Sequence, residues 1–378
     1  LASVCWAYQQ DLPTKNRPWP VFCFFSHTPP WNNDMKTLYP VNSVQQSIPV
    51  DMTSGTPWWL PGGHLQTLWS AVFGRRHFGP PPRWQRSRWL TPDGDFIDID
   101  RAVHATPDSA PLLVLFHGLE GSSASAYAVA FADFAASRGL AMVVPHFRGC
   151  SGEMNHAPRA YHSGDHAEID WILTRLVAEH PQRVLLVVGI SLGGNALMRW
   201  AGEMGHLARQ RVRAVAAVSS PLNLTASGHA MGRGFNRQVY TRVFLSTMVP
   251  KALKKLDQYP GLFDRQALLG ARDLYHFDQV FTAPLHGFRD ADDYWARASA
   301  LPVLHRIRVP ALALNACNDP FVPASSLPRA ADAGPCVTLW QPQYGGHVGF
   351  PSSLPPWGLP GHVRAMPEAV GGWLLSHL

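Results

Sequence analysis

Short, uniformly apolar runs alternate with amphipathic stretches along most of this chain. Residues 112–116, 141–144, 184–188, 214–218, 311–314 and 337–340 are apolar or nearly so at successive positions, the pattern of strands buried on both faces. Helical spacing appears at about 126–137, 165–178, 192–203 and 363–375. Strands alternating with helices predict a mostly parallel sheet covered by helices on both faces. Ahead of this rhythm, residues 86–102 alternate about Pro92-Asp93-Gly94-Asp95 and predict a hairpin turning at Asp93-Gly94. The second half of 57–76 predicts a helix stopped by Gly74; its dense aromatics are read as packing against the core in preference to lining a substrate path.

From about 221 to 300 the rhythm stops. No acid falls between Glu203 and Asp257, whereas Arg233, Arg237, Arg242, Lys251, Lys254 and Lys255 do; Asp257, Asp264, Asp273, Asp278, Asp290, Asp292 and Asp293 follow. This stretch is expected to be a helical cap inserted over the sheet. Its basic half is read as a solvated helical face, with weak peripheral membrane contact as the competing use.

Composition narrows the classes. A hydrophobic content of 46% in 378 residues supplies ample core. The formal charge of +6 comes without a long Lys/Arg run, so nucleic acid is not an expected partner. Five scattered Cys without a C-x-x-C argue against a disulfide framework or zinc site and suit a reducing compartment, with the cytoplasm as default. No run reaches the roughly 18 apolar residues of a membrane span.

The chemistry centres on Gly189-Ile190-Ser191-Leu192-Gly193, lying between a buried strand and an amphipathic helix. Gly-x-Ser-x-Gly in that context is a nucleophile elbow: a tight turn that strains the serine backbone and lifts its hydroxyl above the sheet edge. A serine needs an imidazole to take its proton and a carboxylate to hold that imidazole. In this arrangement the order along the chain is Ser, acid, His, each after a strand. Asp319 follows the strand at 311–314 and His347 follows the strand at 337–340. Asp332 lies off a strand end, Asp290, Asp292 and Asp293 belong to the inserted helices, and His362 and His377 are expected at the surface near the last helix. Two backbone donors should hold an oxyanion: the amides of Leu192, after the serine, and Leu119, in His117-Gly118-Leu119-Glu120-Gly121. His162-x-x-Asp165-His166 is read as a helix start with solvent-facing histidines, not a metal site. The Gly-rich pieces form neither a dinucleotide fingerprint nor a P-loop, so no cofactor and no metal are expected.

Several longer strings point further. They include Gly63-His64-Leu65-Gln66-Thr67, His117-Gly118-Leu119-Glu120-Gly121-Ser122, Phe147-Arg148-Gly149-Cys150-Ser151-Gly152, Tyr161-His162-Ser163-Gly164, Asn318-Asp319-Pro320-Phe321 and Gly346-His347-Val348-Gly349-Phe350. In this order they resemble the YheT-like branch of the α/β-hydrolase superfamily, which includes bacterial esterases, plant embryogenesis-associated proteins and eukaryotic ABHD lipases. The resemblance covers about residues 57–378. It implies an α/β-hydrolase fold, a charge-relay triad falling on Ser191, Asp319 and His347, and hydrolysis of carboxylic esters with short acyl or lipid-like groups, without a cofactor. An acyltransferase using the same acyl-enzyme, or a non-catalytic lipid-binding module, are the alternatives. A triad complete in all three groups argues against the module.

Residues 1–50 are rich in Pro, Asn and Gln, lack periodicity and begin with Leu. They are expected to be a poorly ordered extension ahead of a hydrolase domain at 51–378, with Met52 as the initiator. Intact mass of the natively expressed protein checks this: a polypeptide beginning at Met52 is expected, and one retaining 1–51 refutes the reading.

Overall fold

The computed structural model describes residues 57–352 and 361–378. The 1–50 extension and the Met52 start lie outside the described residues.

Eight strands form one sheet: β1 (Trp84–Leu90), β2 (Phe96–Ala102), β3 (Leu112–Phe116), β4 (Ala141–Pro145), β5 (Leu185–Ile190), β6 (Ala214–Val218), β7 (Ala311–Leu314) and β8 (Val337–Trp340). Their spatial order is β1-β2-β4-β3-β5-β6-β7-β8. The first hairpin and the β2–β4 pair are antiparallel; the other pairs are parallel. Val114, Val187, Val215, Ala311 and Val337 lie in register across the parallel part.

Alternation along each strand separates two cores. Leu112, Val114, Val187 and Val215 face helices α3 (His166–Glu179) and α4 (Leu192–Met204), whose Ile169, Leu173, Leu197 and Trp200 fill one layer. Leu113, Leu115, Leu186 and Val188 face α2 (Ala126–Ser137) and the C-terminal helix Ala365–Leu375 through Phe131, Phe134, Val370 and Leu374. Both faces being covered is why these strands read as unbroken apolar runs.

Two boundaries differ from the sequence pattern for local reasons. Helix α1 (Gly62–Val72) starts inside a Pro-Gly-Gly that looks like a breaker. Gly63 is required there because a Cβ would lie 1.8 Å from the Asn318 carbonyl oxygen. The last helix starts at Ala365 because the chain before it is bridged: the Val363 amide donates to the Arg75 carbonyl, and His362 pairs with Ser352. His362 is accordingly half-buried, not at the surface, and burial pushes its imidazole down to about 4.

Between β6 and β7 the chain forms α5 (Leu224–Met231), the long helix Arg242–Gln258 and several shorter ones ending with Ala291–Ala298. The acids in this region have a local cause. Asp264, Asp273 and Asp290 are N-caps whose carboxylates accept backbone amides. The basic half departs from a solvated face: Lys255 is 1% exposed and donates to the carbonyls of Asn155 (2.7 Å) and Ala157 (2.9 Å). Lys251, one turn earlier, pairs with Glu120 at 2.8 Å. Arg233, Arg242 and Lys254 remain exposed. Among the described residues no helix is long and apolar enough to cross a membrane.

His117, directly after β3, is a buried strut. Its Nδ1–H donates to the Gly118 carbonyl at 2.8 Å, and its Nε2 accepts the Phe147 amide at 3.0 Å. Burial, with His146 nearby, pushes its pKa down to about 3 from 6.5. The ring is neutral in the folded protein, so its contribution is complete above about pH 6.5 and is lost as pH falls towards 3. The stability lost in His117→Asn, measured by urea unfolding, is therefore expected to shrink by about 2 kcal/mol between pH 6.5 and 5. A pH-independent difference would contradict the neutral strut.

Candidate active site

No linker separates β5 from α4. Ser191 alone makes the corner, at φ 51° and ψ −118°, a region costly for a residue with a side chain. The space around it explains the flanking glycines. A Cβ on Gly189 would lie 2.5 Å from the Gly194 Cα, and one on Gly193 would lie 2.4 Å from the His117 carbonyl oxygen. The corner is pinned by the Ser191 amide, which donates to the Val218 carbonyl of β6 at 2.8 Å.

The loops after β7 and β8 bring Asp319 and His347 to this corner. The Nδ1–H of His347 donates to Asp319, 2.9 Å from Oδ2 and 3.1 Å from Oδ1, and Nε2 lies 3.1 Å from the Ser191 hydroxyl oxygen. Asp319 also accepts the Phe321 amide at 2.8 Å, and the Phe321 ring stacks on the imidazole at 4.1 Å. With its carboxylate fully shielded, Asp319 has little freedom except to orient His347.

Sequence reasoning missed what holds these loops. Gln66 Oε1 accepts from the Gly345 amide (2.9 Å) and from the Asn318 side-chain amide (3.0 Å). Thr67 Oγ1 accepts the His347 amide at 2.8 Å, and Asn318 Oδ1 accepts the Gly346 amide at 3.0 Å. Helix α1 therefore splints the aspartate loop to the histidine loop. The available signal was the polar pair Gln66-Thr67 set between Leu65 and Leu68 in this helix, and the structure buries both. The aromatics themselves divide: Trp59 packs edge-on against Trp69, while Trp58 and Phe73 are exposed.

Leu119 and Leu192 border the same space as Ser191 and His347. The amides around Leu119 are committed: Gly118 donates to the Tyr127 hydroxyl (3.0 Å) and Glu120 to the Tyr161 hydroxyl (2.9 Å). The Leu119 and Leu192 amides have no protein acceptor among the described residues. Two free N–H groups beside a serine hydroxyl can stabilise an oxyanion. Away from the serine opens a cavity of about 160 Å³, walled largely by apolar side chains including Leu224, Met231, Phe244, Met248, Phe277 and Phe281.

Other candidates are placed elsewhere. Asp332 pairs with Arg329 near the surface, and Asp290, Asp292 and Asp293 start the helix Ala291–Ala298. His377 sits against Trp373 at the end of the last helix. His162 is not solvent-facing: it packs among His286, Phe288 and Tyr294, and burial pushes its pKa down to about 3. Asp165 caps α3 by accepting the Glu168 amide. Among the described residues no group of three or more His, Cys, Asp or Glu could hold a metal ion.

A second Ser-Asp-His cluster lies under the sheet edge. Ser123 donates to Asp100 Oδ2 at 2.5 Å, and His146 Nε2 meets the same oxygen at 2.8 Å. Serine and imidazole each address the carboxylate here, not each other, so His146 is not placed to take the serine proton. Arg86 occupies the same carboxylate, and the cluster is buried. Its role is structural.

Comparison with known proteins agrees with this architecture. Residues 111–353 match the family described as alpha/beta hydrolase fold. YheT of Escherichia coli, named provisionally as an esterase, is 40% identical over 76% of this chain and 84% of its own. The mouse protein named phospholipase ABHD3 is 28% identical over 72% and 67% of the two chains. A monoacylglycerol lipase of Saccharomyces cerevisiae is 27% identical over 70% of this chain and 59% of its own. By this match and this sheet, the chain belongs to the alpha/beta hydrolase fold family, in its esterase- and lipase-like part alongside YheT.

Proposed function

We propose that this protein hydrolyses carboxylic esters with short acyl or lipid-like groups through an acyl-enzyme on Ser191. The observation carrying the proposal is the unbroken hydrogen-bonded chain from Asp319 through His347 to Ser191, opening onto an apolar cavity. The esterase and lipase names of its relatives support the same chemistry.

In this reading the Ser191 oxygen attacks the ester carbonyl while His347 Nε2 takes its proton. Asp319 holds the imidazole in the tautomer that leaves Nε2 free to accept and steadies the imidazolium that forms. The carbonyl oxygen becomes an anion facing the Leu119 and Leu192 amides. His347 then returns the proton to the departing alkoxide, and water, activated by the same imidazole, releases the acid. The helices between β6 and β7 act as a cap that forms the apolar wall.

The apolar lining of the cavity, with Leu224, Met231, Phe244 and Met248 among its walls, favours an acyl chain over a polar or charged group.

The test is labelling by a fluorophosphonate probe followed by turnover of a ladder of p-nitrophenyl esters. Wild-type protein is expected to label and Ser191→Ala not to, with the mutant's turnover at least about 10⁴-fold lower. Turnover is expected to rise when the acyl group can fill the apolar cavity, above that of the acetyl ester. Adding a primary alcohol should leave free acid as the main product; ester as the main product would favour acyl transfer. Well-folded protein that neither labels nor turns over any ester would sink the proposal and favour a lipid-binding module.

A further inference from the structure

We infer that the ion pair between Glu120 and Lys251, completed by Tyr161, positions the Leu119 amide, so that the helical segment between β6 and β7 sets the geometry of the oxyanion site. The inference rests on the ester-hydrolysis reading above and adds positioning residues to it.

Glu120 directly follows Leu119 and has φ 56°, a left-handed conformation that glutamate seldom adopts unless its surroundings impose it. Two partners impose it here. The Tyr161 hydroxyl accepts the Glu120 amide at 2.9 Å and donates to Glu120 Oε1 at 2.8 Å, closing a small ring through the residue's own side chain. Lys251 takes the other oxygen, Oε2, at 2.8 Å. Burial holds the Tyr161 hydroxyl well above its ordinary pKa, so it stays a donor. Tyr161 is itself fixed by stacking on Phe147 at 5.4 Å and 6°.

The peptide bearing the Leu119 N–H is thus braced on both sides. Gly118 is tied to Tyr127 of α2, and Glu120 is tied to the loop before α3 and to the helix Arg242–Gln258. The Tyr127 and Tyr161 ties come from the framework, whereas the Lys251 tie comes from the segment roofing the cavity. Lys251 and Glu120 both line that cavity, with side chains 28% and 10% exposed. At that depth an ion pair is less screened than a surface pair. The Gly118 carbonyl of the same peptide accepts from His117 and from the Gly121 amide, so displacing the helix that carries Lys251 would release one oxygen of the clamp and loosen the Leu119 amide without freeing it.

Lys251→Met, Lys251→Arg and Glu120→Gln separate this role from that of a passive wall. Steady-state turnover of the best p-nitrophenyl ester is measured alongside inhibition by a short alkylboronic acid, which forms a tetrahedral adduct on an activated serine. Lys251→Met and Glu120→Gln are expected to lower kcat by about 10–100-fold, less than outright loss of an oxyanion donor, with KM within about threefold. Boronate affinity should fall in parallel, and Lys251→Arg should recover most of the loss. Unchanged kcat, or a rise in KM alone with boronate affinity intact, would overturn the inference while leaving ester hydrolysis standing. Wild-type protein with no turnover and no labelling of Ser191 would instead overturn the hydrolase reading, and this inference with it.

Discussion

The absence of slack between β5 and α4 is the constraint on which the rest of the site depends. Ile190 ends the strand and Leu192 begins the helix, so one residue makes the whole change of direction. That forces Ser191 to positive φ and brings the helix against the neighbouring strand ends closely enough to exclude side chains at 189, 193 and 194. The same crowding that costs conformational energy sets Ser191 and Leu192 at the edge of the cavity that Leu119 and His347 also line. Parallel strands on either side repay the strain through an extensive shared core.

Around this fixed point, buried polar groups are held by other polar groups of the protein. Helix α1 splints the loops of Asp319 and His347 through Gln66 and Thr67. Arg148 joins Asp95, Asp93 and Glu168, tying the loop after β4 to the hairpin turn and to α3. His117 links the loop after β3 to Phe147. A buried network of this kind is rigid while every member is satisfied and costly when one is lost. In the proposed mechanism, a nucleophile, a base and two amides that must stay mutually aligned would benefit from that rigidity.

The helical segment between β6 and β7 differs in character. Its helices meet the framework through aromatic clusters and a few charged contacts such as Lys251 with Glu120 and Lys255 with the carbonyls of the 155–157 loop. Its charged residues therefore divide by position on the helix. Those facing inward brace the framework, the capping aspartates start helices, and Arg242 and Lys254 remain in solvent.

The sheet and the placement of Ser191, Asp319 and His347 along the chain were legible in the sequence because both leave local marks. Strands buried on two faces are apolar at every position, and an elbow needs its glycines within two residues of the serine. The roles of Gln66, Thr67, Tyr161 and Lys251 were not legible, because each depends on a partner far along the chain: Gln66 meets Asn318 and Gly345, and Lys251 meets Glu120. His162 shows the same limit from the other side. Its spacing from Asp165 suggested an exposed helix start, but its burial is decided by Phe288 and Tyr294, more than a hundred residues later. Sequence alone determined which groups stand at strand ends and in what order. Tertiary structure decided which of them meet, because hydrogen bonds and burial depend on distances in space that the spacing along the chain does not set.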